Sequence, residues 1–117
     1  MSAIAGIYRR GGLVVSQDKI IIMLDQAIPR GPDNESIYIN NNIGLGHILL
    51  ITTDHSVYES NILNNKHHDY LITSDTHLYN REDLLGNLNF TKPAVSDITD
   101  SEIILNSYIK CGDRCPE

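Results

Sequence analysis

A chain of 117 residues with a formal charge of −6 is one domain or a piece of one, and its acidity argues against nucleic acid as a partner. Apolar residues make up 41% of it, but with no Trp and a single Phe the core must be built from Ile and Leu. The longest apolar runs, Ile20 to Leu24 and Ile48 to Ile51, are too short to cross a membrane. No signal-peptide pattern opens the chain, so a cytoplasmic protein with reduced thiols is expected.

The opening stretch, Met1 to Tyr8, is almost entirely apolar and predicts a strand buried on both faces, in the middle of a sheet. Ser2 follows Met1, and a small residue there normally lets the initiator Met be removed. The product would be a serine with a free α-amine at the mouth of a core strand. That suits an N-terminal nucleophile, and equally an ordinary processed terminus. Gly11-Gly12 then breaks the strand. Ser16 as N-cap and Asp18 in the first turn predict a helix whose apolar face is Ile20, Met23, Leu24, Ala27 and Ile28. Pro29 ends it, and Arg30-Gly31-Pro32-Asp33 follows as a rigid connection, with Arg30 and Asp33 as loop-locking hydrogen-bond partners.

Ser36 to Asn40 alternates as a strand, Asn41-Asn42 suits a tight hairpin turn, and Ile43 to Thr52 predicts the returning strand. Gly44 and Gly46 flank Leu45 on it. No helix start follows them, so they are expected to allow close backbone packing rather than to cradle a phosphate. Residues 54–68 read as a polar surface loop that includes His67-His68. Tyr70 to Ser74 predicts a strand running into Asp75-Thr76-His77, Asn80 opens a short helix through Leu84, Leu85 and Leu88, and a loop with Pro93 leads on. Thr99 and Glu102 form a capping box for a helix with the stripe Ile104, Leu105, Tyr108 and Ile109, closed by Gly112. Cys111 and Cys115, without a nearby His pair, do not make a metal site. On one strand Asp75 and His77 would share a face. That admits a reading in which they serve Ser2, and equally one in which they drifted into an abandoned site.

Locally paired strands with separate helices imply an α+β fold. Ending on a helix and Pro116 leaves no closing strand, so a truncated domain is expected, with an exposed edge that also allows a homodimer.

The order of motifs is recognisable. Met1 to Ile7 resembles the Met-Cys-Gly-Ile-Ala-Gly-Ile that opens class II glutamine amidotransferase domains. Arg30-Gly31-Pro32-Asp33 resembles the Arg-Gly-Pro-Asp of the asparagine synthetase branch, and Gly46-His47 followed by Leu50 resembles its Gly-His-x-Arg-Leu. Leu78-Tyr79-Asn80 and Asp100-Ser101-Glu102-Ile103-Ile104-Leu105 are similar to two further family segments, and all five stand in family order. The resemblance implies an N-terminal-nucleophile αββα sandwich, truncated before its last strands, with residues 1–117 as the N-terminal part of a glutaminase-like domain.

In that family, the resemblance implies, the residue after Met attacks the glutamine amide and the ammonia goes to an ATP-using synthetase domain. An Arg holds the substrate carboxylate, an Asn and a Gly N–H form the oxyanion hole, and an Asp holds the amine. Carried over, the nucleophile position is Ser2 and the Arg position is Leu49. The Asn-Gly-Glu triplet falls on Asp75, Thr76 and His77, and only Asp100 is unchanged. An ionised Asp75 accepts hydrogen bonds where a donor is needed, and losing one oxyanion donor costs about 10²–10³ in rate. Leu49 leaves the carboxylate unpaired, at a cost of roughly 2–5 kcal/mol.

The reading that follows is a degenerate, structural domain belonging to an ATP-dependent amide-forming enzyme. Lasso-peptide macrolactam cyclases and β-lactam synthetases are the relatives it looks closest to. No cofactor is expected on this chain; ATP and Mg belong to a synthetase domain in the same or another chain. The alternatives are an active N-terminal-serine amidohydrolase, a glutamine-hydrolysing asparagine synthetase subunit, or a plain interaction module.

Overall fold

A computed structural model describes residues 2–30, 33–52, 62–64, 70–88 and 98–115. The fold is α+β: five antiparallel strands and three helices among those residues. It divides into two compact units. The first takes in Met1–Thr52, Ser60–Ile62 and Thr73–Asp75, and the second Thr53–Glu59, Leu63–Ile72 and Thr76–Glu117.

The first unit is a three-stranded sheet under one helix. Strands β1 (Ala3–Tyr8), β2 (Asn34–Asn40) and β3 (Ile43–Leu49) lie in the order β1-β3-β2. Asn41 takes φ 49° in the β2–β3 hairpin, a conformation that asparagine tolerates. In register, Ala5 faces Gly46 and Gly46 faces Ile37; one step along, Ile7, Gly44 and Ile39 form the next row. Residues directly opposite share a face, and this face carries helix α1 (Gln17–Asp25) through Ile20 and Leu24, which are 0% and 1% exposed. Both glycines are needed for that contact. A Cβ on Gly46 would stand 2.9 Å from Ile20 Cγ2 and Leu24 Cδ1, and one on Gly44 2.9 Å from Val15 Cγ1.

Three expectations for this unit need correction. β1 is not central: among the described strands it pairs with β3 alone, and β3 is the middle strand. Nor is it buried on both faces, since burial alternates along it and Ile4 and Tyr8 are 53% and 66% exposed. The helix covers only the face of Ala3, Ala5 and Ile7, so an apolar run that reads as two-sided is used on one side. α1 stops at Asp25 and buries only Ile20 and Leu24, while Met23 and Ile28 are exposed. The glycine seats on β3 accept one narrow ridge of the helix, an i, i+4 pair, and leave its flanks to solvent. Ser16 stands at the N-cap but makes no side-chain cap bond.

The second unit holds helices α2 (Arg81–Leu88) and α3 (Asp100–Cys111) and a short pair of strands, β4 (Leu63–Asn64) with β5 (Leu71–Ile72). Its core is Leu85, Ile98 and Ile103, backed by Leu78, Leu84 and Leu88. The Thr99–Glu102 capping box forms in both directions: Glu102 N–H donates to Thr99 Oγ1 at 3.2 Å, and Thr99 N–H to the Glu102 carboxylate at 3.0 Å. Gly112 closes α3 at φ 60°.

Here too the structure differs from expectation. β4 lies within the stretch read as loop, and β5 is only two residues long, so Asp75, Thr76 and His77 are not on a strand and the shared-face argument for Asp75 and His77 lapses. The buried positions of α3 are Ser101, Ile103, Leu105 and Ser107, with Tyr108 and Ile109 exposed. Ile104 and Tyr108 instead border an apolar cleft of about 490 Å³ whose other wall is Tyr70 to Ile72. Tyr108 meets Tyr70 there edge-on, ring centres 5.9 Å apart. The loop reading of residues 54–68 otherwise lies outside the described residues, as do Pro93, Gly31 and Pro32.

Candidate functional site

The positions singled out in the sequence fall into two clusters, one in each unit. In the first, the chain leaving β3 ties two of them down. Ser2 is 7% exposed, and its Oγ accepts a hydrogen bond from Leu50 N–H at 3.2 Å. The terminus is therefore held at the sheet, because β1 starts at Ala3 opposite Ile48 and Ser2 is fastened one step further on. Asp33 is fastened by the same stretch. Its N–H donates to Leu49 O at 3.1 Å, and its Oδ2 accepts from Ile51 N–H at 2.8 Å. Asp33 thus ties the start of β2 to the stretch after β3, while Arg30 contributes a backbone turn bond, its N–H donating to Ala27 O at 2.8 Å.

Leu49 is 4% exposed and lies on β3 beside this stretch. His47 is also buried and shares a 3.1 Å hydrogen bond between Nδ1 and Thr73 Oγ1. Gly46 is the seat of α1 described above. Asp75 is exposed and makes no hydrogen bond or ion pair among the described residues. It is a solvated carboxylate, which can accept protons or hydrogen bonds but offers no donor.

The second cluster centres on Asp100, whose side chain is 12% exposed at the first turn of α3. Its Oδ2 accepts from Leu78 N–H at 2.8 Å, and His77 Nδ1 lies 3.8 Å from the same oxygen. Its Oδ1 is bound by Arg81 Nη1, and Arg81 Nη2 donates to Ile98 O. His77 itself is exposed and stacks edge-on with Tyr79, 5.2 Å between ring centres; Thr76 is half-buried. The carboxylate beside His77 is thus Asp100, where sequence reasoning offered Asp75.

Two residues here escaped the sequence reading. Thr73 carries no pattern that links it to a histidine 26 positions away. Arg81 did leave a signal: it opens α2, where the helix dipole disfavours a positive charge. Among the described residues no group of three or more His, Cys, Asp or Glu could hold a metal ion, and no helix is long and apolar enough to cross a membrane.

The chain belongs to the glutamine amidotransferase domain family, which matches residues 1–117, and to the class II branch found in asparagine synthetases. It is 32% identical over 136 aligned positions to a Methanocaldococcus jannaschii protein provisionally named glutamine-hydrolyzing asparagine synthetase 2, covering 98% of this chain and 25% of that one. It is 28% identical over 104 positions to glutamine-hydrolyzing asparagine synthetase 3 of Bacillus subtilis, covering 88% of this chain and 17% of that one. The chain thus spans a quarter or less of the length of these curated relatives.

Proposed function

We propose that this domain no longer hydrolyses glutamine and serves as the structural amidotransferase-like part of an ATP-dependent amide-forming enzyme. The synthetase domain that uses ATP and Mg is its partner, in the same or another chain, and the setting is the cytoplasm. An enzyme that takes its amine from its own substrate, such as a lasso-peptide macrolactam cyclase, needs such a domain for shape and not for ammonia. The relatives' names support the amide-forming assignment at the level of asparagine synthetases.

The observation that carries the reading is Leu49. The position that resembles the family's carboxylate-binding Arg holds a buried apolar side chain, so a glutamine carboxylate would be desolvated there with nothing to pair with. Asp75 adds a full negative charge at a position where an oxyanion needs a donor. The test is ammonia release from glutamine by the full chain, with intact mass analysis after treatment with an amide-analogue diazo-ketone. Ammonia at the rate of the no-protein control and no mass added at Ser2 are expected. Enzyme-like ammonia release refutes the reading, and a label on Ser2 without glutaminase activity favours the N-terminal-serine amidohydrolase instead.

A further inference from the structure

Among the described residues β1 pairs with β3 alone, so its other side is an open sheet edge. The groups on that edge follow from the ladder. Arg9 N–H donates to Asn42 O at 2.8 Å, in step with the β1–β3 register. In an antiparallel pair every second residue turns its N–H and C=O to the same neighbour. Ala3, Ala5 and Ile7 therefore bond β3, while Ile4, Gly6 and Tyr8 turn their backbone groups outward. Ile4 and Tyr8 carry their side chains on the face away from α1, and both are exposed, as is Gly6 between them. Edge strands that stay single are usually guarded by a charge, a proline or a bulge. The β2 edge contains Glu35, whereas Ala3–Tyr8 has no charge, no proline and an unbroken register.

We propose that β1 is a self-association edge: it pairs antiparallel with β1 of a second copy of this chain, about a two-fold axis at Gly6. In that register Gly6 faces Gly6, and Ile4 of each copy faces Tyr8 of the other. Each pair exchanges both of its backbone bonds, so the outward N–H and C=O groups of Ile4, Gly6 and Tyr8 are all satisfied. On the exposed face, Ile4 against Tyr8 sets a β-branched side chain beside an aromatic one, a favourable cross-strand combination. On the α1 face, Ala5 stands opposite Ile7, small against large. A shift of two residues either way sets Ile4 or Tyr8 against a residue outside the strand. The strand is thus complementary to itself, as a two-fold contact requires, and that selects a second copy as its occupant. Room for it is present. α1 sits over the Gly44 and Gly46 seats on β3, one strand in from the edge. In the joined sheet the two β3 strands stand three spacings apart, about 14 Å, and packed helices need only about 8–10 Å. Both α1 helices fit on one face without obstruction. The pairing is independent of whether the domain hydrolyses glutamine.

The test is sedimentation velocity of the full chain over about a hundredfold range of concentration. Wild type is expected to pass from monomer to dimer by mass action. Ile4→Glu combined with Tyr8→Glu sets like charges opposite each other in both contacts and is expected to raise the dimer Kd at least about tenfold. Ile4→Lys combined with Tyr8→Glu sets opposite charges there and restores the dimer. Ile28→Glu, at a position 46% exposed and off the edge, leaves association unchanged. A wild type that stays monomeric overturns the proposal. So does a dimer that survives the paired Glu substitutions, or one that the Lys–Glu combination does not recover. If the charged variants fail to fold, hydrogen exchange of wild type decides. Dilution is expected to speed exchange of the Ile4, Gly6 and Tyr8 amides at least about fivefold and to leave those of Ala5 and Ile7 unchanged. An equal response of both sets, or none, overturns the proposal.

Discussion

Replacing Gly46 with Ala tests how the first unit is assembled. The added methyl would stand 2.9 Å from Ile20 Cγ2, 2.9 Å from Leu24 Cδ1 and 3.0 Å from Leu24 Cδ2. Carbon atoms settle at about 3.5–4.0 Å, so each contact must open by about half an ångström or more. Neither partner has room to yield, since Ile20 and Leu24 are the fully buried centre of the core. The helix must therefore back away from β3 or both side chains must leave their rotamers, at a cost of about 1–3 kcal/mol. Against this stands a gain of about 0.4–1 kcal/mol from a less flexible unfolded chain. The net loss centres on about 1.3 kcal/mol, which lowers hydrogen-exchange protection of the β3 amides roughly tenfold where their exchange requires unfolding of the unit. Gly86 on α2 is the control: a Cβ there meets nothing within 4 Å, so Gly86→Ala should stabilise its helix by about 0.5–1 kcal/mol. Unchanged or increased β3 protection in Gly46→Ala, with Gly86→Ala behaving as stated, would refute the close seating of α1 on β3.

Other substitutions probe the rest of the structure. Thr99→Ala removes one half of the capping box and should cost about 0.5–2 kcal/mol, seen as faster exchange in the first turn of α3. Ser2→Ala removes the acceptor for Leu50 N–H and should lower stability by about 1 kcal/mol in urea unfolding; under the proposed reading its ammonia release from glutamine equals that of wild type. Leu49→Arg introduces the residue type that the proposed reading finds missing but buries a charge at a position 4% exposed; a loss of roughly 2–5 kcal/mol without gain of glutaminase activity is expected, and ammonia release by this variant would count against the part that reading gives to Asp75.

Legibility in the sequence depended on the range over which each feature is decided. The α3 cap needs only Thr99 and Glu102, three residues apart, and both bonds form as that spacing predicts. The Asn41 turn and the Gly112 stop are equally local, each a matter of one residue's φ. The α3 stripe was misplaced because Ile103 and Ile104 compete for the interior on neighbouring angles, and periodicity alone cannot choose between them. Ile103 meets Leu85 and Ile98, whereas Ile104 faces the cleft. Asp100 was identified, but its partner was not: Arg81 lies 19 residues earlier, and only the dipole-opposed charge at the head of α2 hinted at it.

By itself the sequence determined the family, the α+β class, the Asn41 turn and the α3 cap, because each of these rests on residue type at short spacing. The tertiary structure decided that β1 lies beside β3 at the rim of the described sheet, that Gly44 and Gly46 form a seat for one helix ridge, and that Asp100 answers to Arg81. Pairing, close approach and charge neutralisation are set by segments far apart in the chain. Their free energy appears only when burial brings them into contact and removes the water that would otherwise serve each group alone.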